Sequence, residues 1–176
     1  MGFSVGDKVM HPNFGAGEIT GEEHRELVGG FKHYYVIAVM GARGTAYVPI
    51  AKMDELGVRL VMSSGKLTQV LGTLQSVPAT LSNDYKVRHA RAREKLVAGL
   101  PVAVAEVVRD LTWRGKQRHL TQKDEELLHR GRVQLATEMA WATDSDLVET
   151  HELIDGTLRT ALASGSDALE AAQKPT

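Results

Sequence analysis

Residues 58–78, VRLVMSSGKLTQVLGTLQSVP, contain a change from the residue pattern of a strand to that of a helix. In residues 58–62, apolar side chains alternate with Arg59 and Val61, which predicts a half-buried strand. After the SSG at 63–65, apolar residues recur at helical spacing until a proline ends the segment. These apolar residues are Val70, Leu71, Leu74 and Val77. The stretch therefore predicts a β unit before it and helices after it.

The chain before this stretch has the pattern of short strands. Four runs rich in Val, Ile, Tyr and Thr are separated by turns that contain Gly or Asn. The runs are VGDKVMH (5–11), GAGEIT (15–20), HYYVIAVM (33–40) and TAYVPI (45–50). Together with a final strand within 54–62, their spacing predicts a small, strongly bent antiparallel barrel or sheet.

The chain after this stretch has the start and stop signals of helices. In chain order, these signals are Ser82 or Asn83, Gly99, Pro101, Thr121 with Asp124, and Thr143 with Asp146. We therefore predict an α+β protein: a β domain at 1–62 and a compact domain of four or five helices at 63–163. Residues 164–176, SGSDALEAAQKPT, are predicted to be a frayed or disordered tail, into which the last helix could extend.

Composition and motifs argue against an enzyme. The chain lacks cysteine, so it has no disulfide and no thiolate metal site. Its seven histidines form no HExxH or HxH pair, and its glycine-rich stretches lack the spacing of phosphate-binding loops. We expect no metal, no cofactor and no catalytic residue. Without a secretory signal or an apolar run of about 20 residues, a cytoplasmic protein that does not bind membranes is expected.

The net charge of −1 hides a strong asymmetry along the chain. Residues 84–119 contain nine Lys or Arg against four Asp or Glu, whereas residues 120–176 contain five against eleven. The basic charge is concentrated in LSNDYKVRHARAREKL, residues 81–96, which the caps predict to be a helix. Such a surface suits the phosphate backbone of a nucleic acid.

Helical spacing places part of this charge on the same face as one aromatic ring. The residues predicted on that face are Tyr85, Arg88, Arg91 or Ala92, and Lys95, with Lys86 and Arg93 to one side of it. The ring could stack on a base step, and the start of the helix offers free N–H groups to a phosphate. Two other interpretations stay open. The charges could form a solvated face balanced by the acidic third of the chain, and Tyr85 could pack against the next helix.

Several motifs together resemble the CarD family of bacterial transcription regulators. They are FSVGDKVMHPNFGAGEI (3–19), AYVP (46–49), GVR (57–59), EKL (94–96) and AEVVRDL (105–111). The resemblance extends from residue 1 to about residue 160. It implies an N-terminal Tudor-like domain, shared with the transcription-repair coupling factor, that binds the RNA polymerase β subunit. It also implies a helical domain that contacts promoter DNA at the upstream edge of the transcription bubble and favours the open complex.

The resemblance also assigns DNA-binding residues. The family inserts a tryptophan as a wedge into the minor groove, and Tyr85 occupies that place here. Tyrosine has less area for stacking, so a weaker wedge is expected. Arg88 matches a basic residue of the family, whereas Val87 and Ala90 stand where other basic residues often occur. Lys86, Arg91 and Arg93 would compensate by neutralising neighbouring phosphates. Trp113 and Trp141 lie in predicted helices, where packing between helices is the expected role.

For the β domain, the resemblance implies a polymerase-binding surface. Arg25 matches an arginine of the family that contacts polymerase, and Leu27 matches an apolar contact. Tyr47 replaces a basic residue of the family, in a strand expected to add to a strand of the polymerase. We expect a monomer associated with the nucleoid. Two alternatives are a polymerase-binding scaffold without a DNA wedge and an RNA- or ribosome-associated protein.

Overall fold

A computed structural model describes residues 2–26, 30–40 and 44–172, with side chains described through residue 165. The chain divides into two compact units, Met1–Val61 and Met62–Thr176. Their boundary lies one residue before the predicted end of the β domain. None of the described helices is long and apolar enough to cross a lipid bilayer.

The first unit is an antiparallel sheet of five strands in the order β4-β3-β2-β1-β5. The strands are β1 (Lys8–His11), β2 (Gly15–His24), β3 (His33–Val39), β4 (Thr45–Pro49) and β5 (Arg59–Leu60), with a 3-10 turn at Ile50–Lys52. The α+β class and the antiparallel sheet are confirmed. The sheet is not a closed barrel, because no pairing joins β4 to β5 in the part of the chain that the structure describes. The predicted final strand, within 54–62, shortens to the two residues of β5, which pair with β1.

One face of this sheet is covered by an apolar core. Its buried members are Val9, Ile19, Tyr35, Ile37, Val48, Met53 and Val58. The Tyr35 hydroxyl donates a hydrogen bond to the carbonyl of Phe3, 2.6 Å away, which ties the N-terminal segment to the core. β2 and β3 pair from Gly17 to His24 with a register shift at Ile19–Gly21. This bulge lets the long strand bend over the core.

The second unit contains five helices. They are α1 (Ser64–Gln75), α2 (Tyr85–Ala98), α3 (Pro101–Gln117), α4 (Gln122–Thr143) and α5 (Leu147–Ala172). α3 is the central helix and contacts all four others. The unit's buried core includes Val70, Leu74, Leu96, Val104, Val108, Leu111, Leu135, Met139, Ile154 and Leu158.

The helix boundaries follow the signals in the sequence closely. Gly99 ends α2 in the left-handed conformation, at φ 66°, and Pro101 is the first residue of α3. Thr121 and Asp124 form the predicted capping box of α4. Three details differ from the predictions.

The first difference is that Asp84, and not Ser82 or Asn83, caps α2. The second is that Val77 lies beyond α1 and is 88% exposed, because the helix ends before the proline. The third is that α5 continues through Ala172, eight residues past the predicted start of the tail, while residues 173–176 lie outside the described residues.

The two tryptophans lie in α3 and α4, as predicted. Trp113 is buried with its ring against Gly165 of α5, in the packing role expected of it. Trp141 is partly buried. Neither residue is an exposed ring at the end of a helix, as a wedge would have to be.

Candidate functional sites

Tyr85 is the first residue of α2, and its side chain is 54% exposed. The Asp84 carboxylate accepts the Lys86 backbone N–H at 2.8 Å and so caps the helix. The sequence suggested that the start of this helix offers free N–H groups to a phosphate. The backbone N–H of Lys86 is not free, because it is bound to Asp84. Tyr85 is thus a largely exposed aromatic residue at the first turn of a capped helix, and its ring contacts that of His89 on the same helix.

Arg88 is not on the exposed face where the sequence placed it. The residue is only 3% exposed, and its guanidinium donates from Nε and Nη2 to the two oxygens of Asp124, at 2.8 and 2.9 Å. Its Nη1 also donates to the carbonyl of Ser82 at 2.8 Å. Arg88 is therefore a structural residue, and the prediction that it contacts DNA phosphate is corrected. Its spacing explains this, since Arg88 shares a helix face with the buried Ala92 and Leu96, at four-residue intervals.

Asp124 is fully buried and anchors the start of α2 to the start of α4. It accepts hydrogen bonds from Arg88, from the backbone N–H and hydroxyl of Thr121, and from His89. Burial raises the pKa of this carboxyl, but the hydrogen bonds from Arg88 and Thr121 outweigh burial and hold the pKa well below its ordinary value. Hydrogen bonding to Asp124 in turn raises the pKa of Arg88.

The remaining predicted cations lie on two flanks of α2. Lys86, Arg91 and Arg93 are all exposed. At about 100° per residue, Lys86 and Arg93 share one flank, whereas Arg91 lies about 140–160° around the helix from them. Arg93 is close enough to Glu126 of α4 to lower the pKa of that carboxyl, behind the larger effect of Lys123. Lys95 is bound to Glu106, with Nζ 2.6 Å from Oε2.

Sequence reasoning missed a cation beside the tip. Arg118, just beyond α3, donates from Nη1 to the side-chain oxygen of Asn83 at 3.0 Å. This contact brings Arg118 next to the turn that precedes Tyr85. The signal was the basic segment KQRH at 116–119, at the end of α3, but only the fold shows that Arg118 lies beside a turn more than thirty residues earlier in the chain.

On the sheet, the structure brings together two of the three residues predicted to bind polymerase. The Arg25 guanidinium carbon lies 4.3 Å from the centre of the Tyr47 ring, and Arg25 Nε also pairs with Glu23. Tyr47 lies in β4, which pairs with β3 on one side and is one of the two edge strands of the described sheet. Leu27 lies outside the described residues. The edge strand and the stacked arginine therefore form a candidate interface for a partner's strand.

Comparison with known proteins matches both units. Residues 3–62 match the family model described as the CarD-like/TRCF RID domain, and residues 69–155 match the model of the CarD C-terminal domain. The chain is also 27% identical over 137 residues to a protein of Bacillus subtilis (strain 168) called "Putative transcription factor YdeB". That alignment covers 78% of this chain and 90% of the relative. With both domains matched in order, the chain belongs to the CarD family.

Proposed function

We propose that the protein is a transcription regulator, without enzymatic activity, that binds the RNA polymerase β subunit and contacts promoter DNA at the upstream edge of the bubble. The family membership and the relative's name support a role in transcription, associated with polymerase. One observation carries the DNA contact: an exposed ring, Tyr85, at the tip of a helix with exposed cations on both flanks.

The geometry favours an approach to DNA by the N-terminal end of α2. A helix about 10–12 Å wide does not enter a minor groove about 6 Å wide, but a single aromatic ring does. With the ring in the groove, Lys86 and Arg93 on one flank and Arg91 on the other would face opposite phosphate strands. Phosphate contacts and a degenerate groove imply low sequence specificity.

The mechanism needs only a difference in the protein's affinity for the edge of the bubble and for closed duplex. A ring that stacks on an unpaired or distorted base step binds the bubble edge better than closed duplex. The protein then shifts the equilibrium towards the open complex by that difference, and no nucleotide hydrolysis is required. Held on polymerase by the β4 edge and Arg25, the ring would act at high effective concentration.

Two substitutions test the two contacts separately. We expect Arg25→Ala to weaken binding to the purified β lobe and to leave DNA binding unchanged. We expect Tyr85→Ala to bind the lobe normally and to shorten the lifetime of open complexes. An open-complex lifetime equal to that of the parent would reject the wedge and leave a polymerase-binding scaffold. Recovery of ribosomal proteins in place of polymerase from a lysate would reject the proposal as a whole.

A further inference from the structure

A histidine one helical turn after Tyr85 contacts the ring of the proposed wedge. The ring centres of Tyr85 and His89 are 5.9 Å apart, with the planes tilted by 58°. Side chains in a helix lean towards its N-terminus, so a residue four positions later lies over the turn of the first. The His89 ring therefore provides a wall on the side of Tyr85 that faces the helix body.

The histidine is itself held in place. Its side chain is 13% exposed, and Nε2 lies 3.1 Å from Oδ1 of Asp124 and 3.4 Å from the hydroxyl of Thr121. An ionised carboxylate only accepts hydrogen bonds. Nε2 of His89 therefore carries a hydrogen and donates a hydrogen bond to Asp124. Asp124 is fixed in turn by Arg88 and by its place in the cap of α4.

We propose that His89 is a positioning residue for the wedge: fixed by Asp124, its imidazole holds the ring of Tyr85 outward from the helix bundle. A first-turn side chain that is more than half exposed would otherwise sample several rotamers. Ordering it on DNA would then reduce affinity by about two- to ten-fold. The inference rests on the proposed function, in which Tyr85 is the wedge.

The informative change is His89→Gln, because glutamine can still donate to Asp124 but has no ring. The first measurement needs no DNA: NMR coupling constants and NOEs of the Tyr85 side chain in the full-length protein. We expect one dominant rotamer in the parent and rotamer averaging in His89→Gln, with the thermal unfolding midpoint nearly unchanged. A Tyr85 side chain that is equally ordered in both proteins would overturn the proposal.

The second measurement is a double-mutant cycle on a promoter duplex with a short unpaired segment, bound together with polymerase. We expect His89→Gln to weaken binding about two- to ten-fold in the parent and to have no effect in Tyr85→Ala. An undiminished effect in Tyr85→Ala would mean that His89 contacts DNA directly or acts on the bundle, and would reject the positioning role. His89→Phe restores a ring but cannot donate a hydrogen bond to Asp124, so we expect it to recover only part of the rotamer preference and of the affinity. Full recovery would reject the role of Asp124 in fixing the ring.

The NMR measurement and the double-mutant cycle separate two hypotheses: that Tyr85 is the wedge, and that His89 positions it. If Tyr85→Ala alone leaves binding unchanged, the wedge fails, and the NMR result still shows whether His89 orders the ring. If Tyr85→Ala weakens binding but the ring is equally ordered without His89, the wedge stands and the positioning role fails.

Discussion

The Arg88 guanidinium and the Asp124 carboxylate form a buried ion pair through two hydrogen bonds, Nε to Oδ1 at 2.8 Å and Nη2 to Oδ2 at 2.9 Å. The pair joins the first turn of α2, which carries Tyr85, to the first turn of α4. A residue that looked like a phosphate contact in the sequence instead fixes the helix on which the proposed contacts lie. The basic helix is thus both a candidate binding surface and part of a buried polar network.

We predict that Arg88→Met destabilises the helical unit by about 3–5 kcal/mol, because the substitution leaves the Asp124 charge buried without its main partner. Urea unfolding followed by circular dichroism at 222 nm measures the change. Arg91→Met is the matched control: it removes an exposed arginine three residues away and should change the free energy of unfolding by less than about 0.5 kcal/mol. Equal losses in the two variants would contradict the buried ion pair.

We predict that the stability of the helical unit falls in acid because of Asp124. Its pKa in the folded protein lies below the ordinary value of about 3.9, so its stabilising contribution is complete above that pH and is lost as the pH falls towards the folded pKa. Asp124→Asn should therefore be less stable than the parent at pH 7, with a gap that narrows below about pH 4. Free energies of unfolding of both proteins, determined at several pH values between pH 7 and pH 2.5, measure this difference in stability.

The control for this titration is Glu125→Gln, which alters an exposed carboxylate in the same helical turn. It should change the free energy of unfolding by less than about 0.5 kcal/mol at either end of the pH range. A gap between parent and Asp124→Asn that stays constant down to pH 2.5 would show that Asp124 is not the group responsible.

Local signals predicted the elements of the fold well. The caps and stops at Gly99, Pro101 and Thr121 act within one helical turn, so the sequence alone reveals them. Closure of the sheet depends on pairing between distant strands, so the sequence left a barrel and a bent sheet as alternatives, and the described strands form an open sheet. Motif resemblance indicated the family correctly, because it rests on the order of many residues.

The candidate site was predictable only in part. The exposure of Tyr85 follows from its place at the start of α2, but the partner of Arg88 lies 36 residues away and no local pattern reveals it. Arg88 lies at four-residue intervals from the apolar residues Ala92 and Leu96, which share its helix face. This spacing was a usable signal that Arg88 is buried. The stacking of Arg25 on Tyr47 is likewise a contact between distant positions.

We predict that Gly17→Ala disrupts the sheet. A β-carbon at this position would lie 2.8 Å from the carbonyl oxygen of Ala38 and 2.6 Å from a methyl of Ile37 on the neighbouring strand. Because the first of these atoms belongs to the backbone, the strands would have to separate, and we expect a loss of about 1–3 kcal/mol. Proteolysis within the β unit and chemical denaturation would both detect it.

Gly21→Ala is the matched control in the same strand, since no atom lies within 4 Å of the β-carbon it would add. We expect this variant to unfold within about 0.5 kcal/mol of the parent. A Gly17→Ala variant as stable as Gly21→Ala would show that the two strands are not packed as closely as described.

We predict that Tyr47 supports polymerase binding through Arg25. Removal of the ring in Tyr47→Ala frees the guanidinium that now stacks on it, and cation–π contacts at exposed sites contribute about 0.5–1 kcal/mol. Affinity for the β lobe, measured by calorimetry, should fall about two- to five-fold. Tyr47→Phe keeps the ring and should bind like the parent, whereas a loss in Tyr47→Phe would indicate a direct role for the hydroxyl.

We predict that the salt dependence of DNA binding comes from Lys86, Arg91 and Arg93. Arg88 should not contribute, because it is buried and bound to Asp124. Three neutralised phosphates give a slope of about −2.7 for the logarithm of affinity against the logarithm of salt concentration. Arg91→Gln should make that slope shallower by about 0.9, because one fewer counterion is released. Lys95→Gln should leave it unchanged, since Lys95 is bound to Glu106. Fluorescence anisotropy of a labelled duplex at several KCl concentrations measures the slopes, and equal slopes for the parent and Arg91→Gln would remove Arg91 from the interface.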